Sequence, residues 1–132
     1  MATILLAEDD DSLRSFIKRA LSERSHMVQA FGDGLSALRG LDEGPYDLLL
    51  TDIVMPGMNG IELARRGVAR YPTMKAMFIT GFAAVAIESR SSLDFDVSIV
   101  SKPFHLREVI DRVDLILAQT PRQSLKDPGN RG

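Results

Sequence analysis

Leu48-Leu49-Leu50-Thr51-Asp52-Ile53-Val54-Met55-Pro56-Gly57 is the stretch that decides the fold. Three leucines bounded by turn residues read as a strand buried on both faces. The run ends in one carboxylate, Asp52, and the turn-forming pair Pro56-Gly57 follows shortly after it. In a parallel sheet such a strand delivers its last polar residue to the carboxyl edge, where α/β proteins place their chemistry. The question is then what else the chain brings to Asp52.

Outward from this strand, the same grammar repeats. On the N-terminal side, residues 3–7 (TILLA) form a short apolar run that stops at Glu8-Asp9-Asp10-Asp11, a cluster whose mutual repulsion suits a loop or helix start. Asp11 and Ser12 are good N-cap types, and Leu13, Phe16, Ile17, Ala20 and Leu21 then recur at helical spacing, with Arg14 and Lys18 off the stripe. Residues 27–31 alternate like a more exposed strand, and Gly32-Asp33-Gly34 is a turn rather than a phosphate loop. Leu35, Leu38 and Leu41 mark a second helix ended by Gly44-Pro45, and the central strand itself is expected over residues 46–52.

On the C-terminal side, a third helix is expected over residues 61–69. A strand over residues 75–80 ends in Thr80, and a short helix beginning near Gly81-Phe82 fades into a Ser-rich stretch. A fifth strand over residues 97–101 ends at Lys102-Pro103. The last helix, 106–118, places Leu106, Val109, Ile110, Val113 and Leu117 on one face. Alternating strands and helices of this length imply right-handed βαβ units and a doubly wound α/β fold. The expected sheet is five-stranded and parallel, of flavodoxin-like order 2-1-3-4-5. The domain is expected over residues 1–119, followed by a disordered polar tail over 120–132.

Composition narrows the chemistry. A net charge of -2 argues against a general nucleic-acid binder. The absence of cysteine excludes disulfides and thiolate catalysis, and two histidines do not make a histidine-rich metal centre. No apolar run approaches the roughly 18 residues of a membrane span, and no signal peptide is evident, so a cytoplasmic protein is expected. The strand ends converge as Glu8, Asp9, Asp52, Thr80 and Lys102. Crowded carboxylates need a counter-charge, and with oxygen donors alone the natural ion is Mg2+, which leaves positions open for phosphate oxygens. A carboxylate can itself be the nucleophile and form an aspartyl phosphate. Each residue also has a bland reading: an acidic helix start, a turn aspartate, a strand-end threonine, a solvated lysine. His105 is read as lying near the start of the last helix, His26 as a surface residue, Arg65-Arg66 as a solvated helix face, and Phe82, Phe104 and Leu106 as more often core than interface.

Glu8-Asp9, Asp52 with Met55-Pro56 and Gly60, Thr80-Gly81 and Lys102-Pro103, in that order at strand ends, resemble the response-regulator receiver domain of two-component signalling. The resemblance covers nearly all of the ordered chain. It implies Asp52 as phosphoacceptor and Mg2+ held by Asp9, Asp52 and the carbonyl of Val54, with Glu8 acting through water. It also implies Lys102 on the phosphoryl group before a cis Pro103, Thr80 swinging toward that group, and Gly81 leaving room for the donor. Implied partners are a histidine kinase or histidine phosphotransfer protein. More narrowly, LLAEDD, LLTDIVMPGMNGIELARR, FITGFAAVA and SKPFHLRE resemble the CpdR type of single-domain regulator. This implies control of cell-cycle proteolysis through ClpX of the ClpXP protease, active when unphosphorylated, with no nucleic acid or membrane partner and a monomer or weak homodimer. One departure stands out: many receivers carry an aromatic residue three positions before the lysine, and here that position is Ile99. The apolar Val54 and Phe82, each two residues past a site residue, are expected to slow hydrolysis of the phosphoryl group by excluding water. Alternatives at this stage are a Mg2+-dependent phosphohydrolase with an aspartyl-phosphate intermediate, which would usually carry a second Asp where Val54 stands, and a phosphate-independent scaffold.

Overall fold

A computed structural model describes residues 1–119, except for the side chains of residues 83–85 and 89. The expected tail, 120–132, lies outside the described residues. The elements run β1 Thr3–Ala7, α1 Asp11–Glu23, β2 Met27–Phe31, α2 Gly34–Gly40, a 3-10 turn Leu41–Glu43, β3 Leu48–Asp52, α3 Gly60–Arg70, β4 Lys75–Thr80, α4 Ala83–Arg90, β5 Val97–Ser101 and α5 Leu106–Ala118. The five strands form one sheet in the order β2-β1-β3-β4-β5, all parallel. This is the doubly wound sheet that the alternation predicts.

The sheet divides the interior in two, because successive strand residues point to opposite faces. Ile4, Leu6, Leu48, Leu50, Met77 and Ile79 pack on one side with Ile17 and Leu21 of α1 and Val109, Val113 and Ile116 of α5. Leu5, Leu49 and Phe78 pack on the other with Ala37 of α2, Leu63 and Ala64 of α3, and Ala86 of α4. All five residues of β3 are buried, as its unbroken apolar run requires. The strand proper begins at Leu48 rather than 46. At Asp47 the main chain still meets both neighbours, its N–H donating to the Thr3 carbonyl (2.7 Å) and its carbonyl accepting the Lys75 N–H (3.0 Å). The Asp47 carboxylate accepts the Thr3 N–H (2.8 Å), and Tyr46 donates its hydroxyl to the Gly40 carbonyl (2.7 Å).

Several expectations are corrected. The N-cap of α1 is Asp10, whose carboxylate accepts the Leu13 N–H at 2.9 Å, rather than Asp11 or Ser12. Phe16 is exposed, and Ile17 and Leu21 are the residues of that stripe that are fully buried. Helix α2 ends at Gly40, where the chain tightens into the 3-10 turn, rather than at Gly44-Pro45. Its buried face is small, made by Gly34, Ala37 and Gly40, and Leu35 is exposed. Leu106 and Phe82 are exposed, and Phe104 packs partly on the α1–α5 side of the core. His26 is packed rather than a free surface residue: its Nδ1 accepts the Ala2 N–H at 3.1 Å. Helix α3 starts one residue earlier than expected, at Gly60, and its Arg65 and Arg66 lie on an exposed face paired with Glu62. No helix among the described residues is long and apolar enough to cross a membrane.

Candidate functional site

The parallel register fixes what meets at the carboxyl edge. The last rungs are Ala7 with Thr51, Asp52 with Ile79, and Thr80 with Ser101. Glu8 and Asp9 therefore extend just past β1, Asp52 closes β3, Thr80 closes β4, and Lys102 follows β5. Two main-chain bonds continue the order beyond the ladder: Glu8 N–H to the Phe31 carbonyl at 3.0 Å, and Lys102 N–H to the Thr80 carbonyl at 2.7 Å. The Lys102–Pro103 peptide is cis, as is Gly44–Pro45.

Within this edge, Glu8, Asp9 and Asp52 each offer a carboxylate oxygen, and these oxygens lie within 4.8 Å of one another. Glu8 and Asp52 are buried and Asp9 is exposed. Lys102 Nζ donates to Asp52 Oδ2 at 2.7 Å. It also lies 3.1 Å from Glu8 Oε1, an ion-pair distance without hydrogen-bond alignment, so that buried oxygen has no hydrogen-bond partner. Glu8 Oε2 accepts the Asp10 N–H at 2.9 Å, and Asp52 Oδ1 accepts the Val54 N–H at 3.3 Å. Thr80 is fully buried, and its hydroxyl oxygen accepts the Phe82 N–H at 2.9 Å.

The charges do not balance locally. Burial pushes the Glu8 carboxyl up to about 7; the Asp10 N–H opposes this, the charge of Asp52 adds to it, and Lys102 opposes it. For Lys102, burial works against the charge, but the hydrogen bond to Asp52 and the ion pair with Glu8 outweigh it and hold the ammonium above its ordinary range. One lysine thus serves a cluster of three carboxylates. An all-oxygen donor set with an unsatisfied buried carboxylate oxygen fits a hard divalent cation.

Every residue the sequence singled out for the site lies at this edge. Val54 is at its rim with an exposed side chain, and Phe82 is likewise exposed. A side chain at Gly81 would meet no atom within 4 Å, so the space beside Thr80 is open. Ile99, in the place of the expected aromatic, is half-buried against the core on the α4 side of the sheet. Two contributions were not legible as such. Gly60 is needed because a Cβ there would lie 2.0 Å from the Asp52 carbonyl oxygen. Arg14, seen from the sequence as a charge off the helical stripe, reaches back to the Glu8 carbonyl at 2.9 Å. Its spacing of three from Asp11 was the available signal.

The comparisons agree with this geometry. The family described as response regulator receiver domain matches residues 4–114. The chain is 50% identical over 117 residues to the response regulator receiver protein CpdR of Brucella abortus (strain 2308), covering 89% of this chain and 98% of that protein. It is 34% identical to 12% of the sensor kinase CckA of the same organism. Among solved structures, the receiver domain of the hybrid histidine kinase CckA superposes with a TM-score of 0.74 at 32% identity, over 87% of this chain and 98% of that one. The response regulator TrrA of Thermotoga maritima, solved in complex with Mg2+-BeF, superposes with a TM-score of 0.73 at 28% identity, over 88% and 99% of the two chains. On the family match and on the near-complete alignment with CpdR, the chain belongs to the response regulator receiver domain family.

Proposed function

We propose that this chain is a phosphorylation-controlled switch that accepts a phosphoryl group on Asp52 and thereby changes its binding to a protein partner. The observation that carries this reading is the pairing of Lys102 Nζ with Asp52 Oδ2 at 2.7 Å inside a buried cluster of carboxylates. Asp9 and Asp52 would hold Mg2+ directly with the Val54 carbonyl, and Glu8 would act through water. When bound, the ion neutralises the carboxylates so that a dianionic phosphoryl group can approach. An Asp52 carboxylate oxygen then attacks phosphorus, the bond to the donor nitrogen breaks, and the donor imidazole leaves with the electron pair. Lys102 exchanges its contact with Asp52 for a phosphoryl oxygen, and Thr80 turns its hydroxyl toward the same group. The open space at Gly81 admits the donor, and Val54 and Phe82 shield the product from water.

The proposed donor is a histidine kinase or histidine phosphotransfer protein in the cytoplasm. The 50% identity to CpdR supports a ClpX partner and a role in cell-cycle proteolysis, with the unphosphorylated form engaged. Val54, rather than a second carboxylate, stands two residues past Asp52, which supports a switch over a phosphohydrolase. The test is capture of ClpX by the full chain with and without acetyl phosphate and Mg2+. Retention by the untreated chain and release on treatment is the expected result. Equal capture in both conditions would remove the protease from the proposal.

A further inference from the structure

The β1–β2 ladder stops at Ala7 and Phe31, so Glu8 and Asp9 stand beyond the sheet's own hydrogen bonds. Two contacts hold the Glu8 main chain, beside those its carboxylate makes with the Asp10 N–H and Lys102. The Glu8 N–H donates to the Phe31 carbonyl at 3.0 Å. The Glu8 carbonyl accepts Arg14 Nη1 at 2.9 Å, while Arg14 Nη2 donates to Asp11 Oδ1 at 2.6 Å. The Glu8 carbonyl and the Asp9 nitrogen share one planar peptide, so fixing the first fixes the second. The guanidinium is a rigid fork, and its second arm on Asp11 sets its direction. Gly32, the residue directly after Phe31, makes room for it: a Cβ at that position would lie 2.9 Å from Arg14 Nη1.

We propose that Arg14 is the positioning residue of the acidic loop: it aims Glu8 and Asp9 at the ion by clamping the peptide that joins them, and Gly32 keeps open the slot through which it reaches that peptide. The inference deepens the reading above and rests on the three carboxylates holding Mg2+. Arg14 touches neither ion nor phosphoryl group; it acts on the ligands through the main chain, as outer-shell partners do.

The roles of Arg14 and Gly32 separate cleanly by mutation. Arg14→Ala removes the clamp. Gly32→Ala leaves Arg14 in place but pushes its guanidinium aside, at small cost to the fold because the nearest atom is the tip of a flexible side chain. The experiment titrates Mg2+ alone into the full chain by calorimetry, for wild type, each single variant and the double variant, with thermal unfolding in chelator alongside. Arg14→Ala is expected to weaken Mg2+ binding about tenfold. Gly32→Ala is expected to weaken it in the same direction while moving the metal-free midpoint by less than about 3 °C. The double variant is expected to bind no more weakly than Arg14→Ala. Wild-type affinity in both single variants overturns the inference and leaves the site reading intact, as does a further tenfold loss in the double variant. Failure of the wild type itself to bind Mg2+ overturns both.

Discussion

Glu8 is the residue at which burial and charge conflict most plainly. Its carboxyl, ordinarily near 4.5, sits at about 7 in the folded chain. The native state therefore holds this proton more tightly than the unfolded chain does. Its contribution favours folding as pH falls from above 7 toward 4.5, and turns against folding once Glu8 ionises. The metal-free protein is expected to lose thermal stability as pH rises from about 4.5 to about 7, a slope that Glu8→Gln flattens; melting curves in chelator across that window check it. Mg2+ competes with the same proton, so its affinity should rise over the same window. Asp9 tests the repulsion from the other side. It is exposed and lies within 4.8 Å of two other carboxylates. Asp9→Asn is expected to raise the metal-free midpoint by about 2–4 °C, and saturating Mg2+ should erase that gain. An unchanged or lowered midpoint in chelator would mean the cluster carries no stored repulsion.

Among the elements, the start of α3 is closely built around the end of β3. Asn59 caps it by accepting the Glu62 N–H at 2.9 Å, and the Gly60 N–H bonds to the Ile53 carbonyl at 2.8 Å. This seats the helix against the end of β3, where a Cβ on Gly60 would collide with the Asp52 carbonyl. Gly60→Ala is expected to cost about 1–3 kcal/mol in urea unfolding and to weaken Mg2+ binding, because the displaced loop carries Val54. The elements also show where sequence patterns mislead. Leu35, Leu38 and Leu41 marked α2 by their spacing; Leu41 is buried just past its end and Leu38 packs partly on the core, but Leu35 is exposed and the fully buried residues of the helix itself are glycine and alanine. Gly34 lies against the Met58 backbone and Gly40 against the Phe31 ring. Close approach selects for the absence of a side chain, which a hydrophobic pattern does not register. Phe16 and Leu106 fit helical stripes but are exposed, since α1 and α5 fill their shared core with Ile17, Leu21, Val109, Val113 and Ile116.

At the scale of the whole molecule, the fold was legible because each strand is short, apolar and bounded by turn formers, and such strands have one way to pack between helices. The site was legible for the same reason: its residues stand at or just past the strand ends on one edge of the sheet. The contacts that aim those residues were less legible, since Arg14 acts on a main-chain carbonyl and Gly60 acts by lacking a side chain, and neither shows in a hydrophobic or charge pattern. Leu50 measures how far global stability and the site are separable. It is fully buried at the centre of the sheet, facing α1 and α5. Leu50→Ala is expected to cost about 3 kcal/mol in chemical denaturation while the folded fraction keeps its Mg2+ affinity. The central claim is that Asp52 accepts a phosphoryl group with the help of Mg2+. The most direct measurement is a phosphate-affinity gel of the chain after incubation with acetyl phosphate, with and without Mg2+, for wild type and Asp52→Asn. The account predicts a retarded band in the wild type with Mg2+ alone. No retarded band in the wild type, or one of equal intensity in Asp52→Asn, would contradict it.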